Sequence, residues 1–175
     1  MSTHTIVFSH GKDGEPWGPK IVAMADVARR HALQVESLDY RGMNDPAARV
    51  AKALEFCHSL TEPVILVGSS LGGHVSAVVS ARVRTRGMFL LAPAFFMKGF
   101  EQFTPTPAPC PIEIVHGWND TVVPVDNSIK FARLHRASLH LLDSDHRLTN
   151  SLGTICELLD AFLGRLVGGR RAQTN

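Results

Sequence analysis

Apolar positions along this chain follow two alternating periods. Thr5–Ser9 (TIVFS), Val35–Asp39, Val64–Gly68 (VILVG), Gly87–Leu91 (GMFLL), Ile112–His116 (IEIVH) and Ser138–Asp143 (SLHLLD) are short runs rich in Val, Ile and Leu. Turn residues bound each run, and all six predict strands. Between them, 17–31, 46–60, 70–82, 124–135 and 150–167 carry helical spacing; Leu152, Ile155, Leu159, Phe162 and Leu166 form the apolar stripe of the last. Asp45-Pro46 is the pattern of a capping residue followed by a proline in the first helical position. Strands alternating with helices predict βαβ units. The expected fold is therefore α/β: a three-layer α/β/α sandwich around a six-stranded, mainly parallel sheet of doubly wound type. Ligands of such sheets bind beyond the carboxyl ends of the strands. The pattern predicts one domain over 1–168, and the terminal GGRRAQTN makes 169–175 a solvated tail.

Composition narrows the function classes. With 175 residues, 45% hydrophobic and 19% charged, the chain can bury a core of its own. A formal charge of +2 is too small a surplus to imply a nucleic-acid partner. The longest apolar stretch, Met88–Met97, is broken by Pro93 and falls short of the roughly 20 residues that a spanning helix needs, so no membrane role is expected. MSTHTIVFSHGK lacks a basic leader followed by an apolar run. Cys57, Cys110 and Cys156 form no CxxC pair and read as reduced thiols. Both observations predict a cytoplasmic protein.

The chemistry concentrates in VILVGSSLGG, residues 64–73. Gly68-Ser69-Ser70-Leu71-Gly72 is G-x-S-x-G with a strand before it and a helix after it, the context in which a sharp turn lifts a serine hydroxyl above the sheet. A bare G-x-S-x-G would equally suit a serine in a glycine-rich turn. A nucleophilic serine needs a base, and the base needs an orienting carboxylate. His116-Gly117-Trp118-Asn119-Asp120 follows the fifth strand and Asp143-Ser144-Asp145-His146 the sixth. The order Ser70, Asp120, His146 thus places three candidates at the carboxyl ends of three different strands, where a parallel sheet brings them to one edge.

These motifs, with His10-Gly11 after the first strand and Asp39-Tyr40-Arg41-Gly42 after the second, resemble the α/β-hydrolase superfamily. The likeness is to its small, capless bacterial serine hydrolases and esterases, a minimal α/β-hydrolase fold. It covers nearly the whole chain. The resemblance implies a Ser70–His146–Asp120 triad and an oxyanion hole completed by the Lys12 amide, beside that of Leu71, the residue after the nucleophile. The larger members' N-terminal antiparallel strands and helical cap have no room here.

Each candidate has a competitor. His10 and His116 precede glycines and read as turn braces, His74 is one helical turn past Ser70, and His135 and His140 read as surface residues. Among the acids, Asp145 adjoins His146 but points to the opposite side of an extended segment, Asp126 reads as a first-turn helix acid, and Asn119 carries no charge. The Lys12 ammonium offers attraction for an anionic substrate or is a solvated lysine. Phe95, Phe96, Met97, Phe100 and Phe103 crowd a proline-rich loop, 93–111; they either wall an acyl pocket, with Trp17 on the other side of the cleft, or close the core, or form a self-association patch. Arg82, Arg84 and Arg86 read as a solvated basic cluster.

The expected activity is hydrolysis of a short-chain carboxylic ester or thioester through an acyl-enzyme. Neither cofactor nor metal is called for, the histidines lacking HExxH spacing. The expected partner is a small-molecule substrate, with the chain a monomer or homodimer. Amide or peptide hydrolysis by the same triad remains open, as does a hydrolase-like binding module with little turnover. A flavodoxin-like nucleotide domain lacks its phosphate loop here.

Overall fold

The computed structural model describes residues 4–168, so the tail expected at 169–175 lies outside the described residues. Six strands, β1 (Thr5–Ser9), β2 (Gln34–Leu38), β3 (Val64–Ser69), β4 (Thr85–Leu91), β5 (Ile112–Gly117) and β6 (Ser138–Leu142), form one sheet in the order β2-β1-β3-β4-β5-β6. Every pairing is parallel. The helices α1 (Pro19–Arg30), α2 (Pro46–His58), α3 (Leu71–Ser80), α4 (Val125–His135) and α5 (Leu152–Val167) match the expected five, with no end trimmed by more than two residues. Asp45 caps α2 as its sequence suggested, accepting the Ala47 N–H at 3.0 Å.

Alternation within the strands builds two cores. Ile6, Phe8, Ile65, Val67, Phe89 and Leu91 face α1 and α5, meeting Met24, Leu159 and Phe162. Val7, Leu66, Met88, Leu90 and Ile114 face the other way, onto Val50 and Ala53 of α2, Val75 and Val79 of α3 and Phe131 of α4. Central strands are buried on both faces, whereas β2 and β6, at the edges, alternate or stay half-exposed. This is the three-layer sandwich that the sequence predicts.

Strand order decides where a site can form. The chain leaves β1 toward β2 on one side and returns to β3 on the other, so the order reverses between β1 and β3. The loops after these two strands diverge to opposite faces and leave a crevice between them. His10–Gly18 leaves one of these strands and Ser70 sits at the end of the other.

Candidate active site

Ser70 lies between β3 and α3 with φ 53° and ψ −118°, a conformation that costs an L-residue on the order of 1–3 kcal/mol. Its own backbone helps to hold it: the N–H donates to Leu91 O at 2.8 Å, and its carbonyl accepts from Gly73, His74 and Ala94. Close approach explains the flanking glycines. A Cβ on Gly68 would lie 2.3 Å from Gly72 O, and one on Gly72 would lie 1.9 Å from Ser9 O. Only glycine lets the elbow pack this tightly between β1 and α3.

The hydroxyl so presented lies 3.1 Å from Nε2 of His146, and Nδ1 of His146 lies 2.6 Å from Oδ2 of Asp120. The structure therefore joins Ser70, His146 and Asp120 in one chain of hydrogen bonds, and His146, not His74, meets the serine. Asp145 is engaged elsewhere: its Oδ1 accepts the Arg147 and Leu148 N–H groups and turns the loop that carries His146.

Four N–H groups converge on the buried Asp120 carboxylate. Val122 and Val123 amides donate to Oδ1, both at 2.8 Å, while His146 and His116 share Oδ2. Burial alone raises the pKa of Asp120, but the bonds from His146, Val123 and Val122 outweigh it and hold the carboxyl below its usual range. His116 does more than brace a turn. Its Nε2 lies 2.9 Å from Asp120 Oδ2 and 3.0 Å from Val123 O, two acceptors, so that nitrogen carries the proton. The Ser128 hydroxyl, 2.7 Å away, then donates to Nδ1, leaving a neutral ring. Burial, which lowers the pKa of His116, favours the same state.

The loop after β1 is fixed from behind. Tyr40 N–H donates to Nε2 of His10 at 2.9 Å, so Nδ1 is protonated and donates to Gly11 O at 2.7 Å. Gly11 abuts the nucleophile: a Cβ there would lie 3.5 Å from the Cβ of Ser70. Among the described residues, the Lys12 and Leu71 N–H groups donate to no protein acceptor. Lys20, which sequence reasoning passed over, donates from Nζ to Ser69 Oγ at 3.2 Å and to Arg147 O at 3.0 Å, tying the residue before the nucleophile to the residue after the histidine. Burial lowers its pKa, against the pull of Asp145.

The expected pocket walls need correction. Phe95 is wholly buried and stacks on Phe131 with ring centroids 3.9 Å apart, so it closes the core and lines no open cleft. Phe96 is half-buried beneath the Lys130 ammonium, 4.0 Å above its ring. Trp17 is exposed, and its ring lies 6.0 Å from the Arg29 guanidinium of α1. Phe100 and Phe103 are 64% and 62% exposed. A groove of about 410 Å³ lined by Pro107, Cys110 and His135 opens at the other edge of the sheet, where β5 begins. His140 and His135 are half-buried rather than superficial: Nε2 of His140 lies 3.1 Å from Oε2 of the buried Glu113, and His135 packs 4.4 Å from the Phe131 ring. Arg82 and Arg84 are exposed, but Arg86 is half-buried and donates from Nε to Leu166 O at 2.9 Å. All three cysteines are unpaired. Among the described residues, no three His, Cys, Asp or Glu side chains cluster as metal ligands, and no helix is long and apolar enough to cross a membrane.

A doubly wound parallel sheet, a strained serine after β3 and an acid and a histidine after β5 and β6 define a class. The model of the alpha/beta hydrolase family matches residues 6–171, and the chain belongs to that family. Among solved structures it is similar to a putative hydrolase of the alpha/beta superfamily from Xanthomonas campestris pv. campestris, with 30% identity and a TM-score of 0.87 over 93% of this chain and 99% of that one. Est1E from Butyrivibrio proteoclasticus shares the fold at 16% identity, with a TM-score of 0.81 over 96% of this chain and 90% of that one. The esterase Pf2001 of Pyrococcus furiosus does so at 14% identity, with a TM-score of 0.78 over 95% of this chain and 85% of that one. No curated protein matches the chain.

Proposed function

We propose that this protein is a serine hydrolase that cleaves short-chain carboxylic esters or thioesters through an acyl-enzyme. The observation that carries the reading is the hydrogen-bonded series from Ser70 Oγ through His146 to Asp120, built on a strained elbow. Asp120 accepts the Nδ1–H of His146, which leaves the Nε2 lone pair facing the serine hydroxyl. As Ser70 Oγ attacks the acyl carbon, Nε2 takes its proton, and the buried carboxylate stabilises the imidazolium. The Lys12 and Leu71 amides receive the tetrahedral oxyanion. Nε2 then returns the proton to the leaving alcohol or thiol. Water, deprotonated by His146, attacks the acyl-enzyme and frees Ser70.

A short acyl group suits this edge of the sheet. Phe95 does not wall it, and Phe100 and Phe103 stand in solvent. Acyl chains of roughly two to six carbons gain a few methylenes of burial, about 0.8 kcal/mol each, and longer ones find no further cover. The test is covalent labelling with a fluorophosphonate, followed by kcat/KM across p-nitrophenyl esters from acetate to palmitate. The expected outcome is one label per chain at Ser70, none in Ser70→Ala, and an optimum at the short end. Labelling undiminished in Ser70→Ala overturns the nucleophile. Labelling without turnover of esters, thioesters or amides favours a binding module instead.

A further inference from the structure

Arg49 is a buried cation whose role the triad does not explain. It sits in the first turn of α2 with 1% of its surface exposed, and it forms no ion pair with any carboxylate among the described residues. Its guanidinium is spent on backbone carbonyls. Nε donates to Met43 O at 2.7 Å, Nη1 to His10 O and Gly11 O at 3.0 and 3.2 Å, and Nη2 to Lys12 O at 3.2 Å. The Tyr40 ring packs beneath it, 5.2 Å from the guanidinium carbon. Burying a charge without a counter-ion is costly unless hydrogen bonds replace its hydration. Here four carbonyl dipoles do so, three of them from consecutive residues of the loop after β1.

That grip has a geometric consequence. In a trans peptide the C=O and N–H point in opposite directions. Gly11 O accepts from Arg49 and from His10 Nδ1, so the Lys12 N–H of the same peptide faces away from both. Its peptide also borders the nucleophile, because Gly11 packs against the Cβ of Ser70. A positive charge on the carbonyl side polarises the peptide and makes its N–H a stronger donor. Lysine could not substitute: a point charge with three donors cannot span four carbonyls that a planar fork reaches from fixed positions.

We propose that Arg49 is a positioning residue for the oxyanion hole, holding the 10–12 carbonyls so that the Lys12 N–H is aimed and polarised toward the oxyanion formed at Ser70. The inference rests on the serine-hydrolase reading. It assigns to a buried side chain of α2 a part in the chemistry of the neighbouring loop. Neither Arg49 nor its partner carbonyls touch the substrate.

The test compares the full chain with Arg49→Lys and Arg49→Met, counting active sites by complete fluorophosphonate labelling and measuring p-nitrophenyl acetate turnover per labelled site. Loss of one oxyanion donor lowers kcat on the order of 10²–10³-fold. Arg49→Met should approach that loss with KM little changed, Arg49→Lys should recover only part of it, and affinity for a boronic acid at Ser70 should fall in parallel. A role confined to stability would lower the number of labelled sites but not the turnover of each. Unchanged kcat per labelled site in either folded variant overturns the proposal. The parent protein supplies a measurement that no variant's folding can obscure. Phosphonylation of Ser70 should move the Lys12 amide proton downfield in NMR spectra, and a Lys12 resonance that stays in place overturns the proposal. A parent that takes no label overturns the hydrolase reading and this inference together. A labelled parent with fully active Arg49 variants overturns this inference alone.

Discussion

Replacing Asp120 with Asn tests the proposed mechanism at its most constrained point. The carboxylate receives four N–H groups, two on each oxygen, and an amide has one oxygen to offer. If the amide oxygen keeps Val122 and Val123, its NH₂ faces Nδ1 of His146. That nitrogen must then accept, the imidazole proton moves to Nε2, and His146 can no longer take the serine proton. If the oxygen turns to the histidines instead, the NH₂ meets two backbone N–H groups in a buried site. Each donor left unsatisfied there costs about 1–3 kcal/mol, so the first arrangement wins. The wrong tautomer lowers kcat by about 10⁴ in a serine protease with this triad, or about 5.5 kcal/mol of transition-state stabilisation. Asp120→Asn should show a loss of that order in ester turnover, with a thermal midpoint near the parent's. Asp145→Asn is the control: its amide oxygen can still accept the Arg147 and Leu148 N–H groups, so activity should persist. An Asp120→Asn protein that is folded and retains a tenth of parental kcat, or more, refutes the assigned tautomer.

Gly72→Ala drives a Cβ to 1.9 Å from Ser9 O, so it should destabilise the fold by about 1–3 kcal/mol or more and displace the elbow; denaturant titration and labelling rate measure the two effects. Lys20→Met removes the bonds to Ser69 and Arg147, which should cost about 1–2 kcal/mol of stability and lower kcat more than it changes KM. Burial holds the pKa values of His10, His74 and His116 below the ordinary histidine value. Their contribution is fully present above about pH 6.5 and lost as pH falls toward the folded values, because the unfolded chain then binds more protons. The melting midpoint should therefore decline below that pH, and a profile flat to acid would show the rings to be accessible.

The local parts of this protein were legible in its sequence. Strands β1, β3, β4 and β5 announce themselves as short aliphatic-rich runs, because a parallel sheet covered on both faces favours apolar residues on both. The elbow was equally plain: Gly68 and Gly72 flank Ser70 because a turn between β3 and α3 leaves no room for a Cβ. The order Ser70, Asp120, His146 followed from strand ends sharing an edge. The sequence did not determine where side chains in irregular segments point, because no period governs them. Phe95 turns into the core, although it was expected beside the cleft. His116 read as a turn brace, and only the tertiary fold turned it toward Asp120, with Asp120 Oδ2 and Val123 O fixing its tautomer. Arg49 left a trace, since it falls on the α2 face that buries Val50, Ala53 and Cys57, but a cation on an apolar stripe gives no hint of its acceptors. Three of the four acceptors are carbonyls of the loop after β1, distant along the chain and brought to Arg49 only when α2 packs on the sheet.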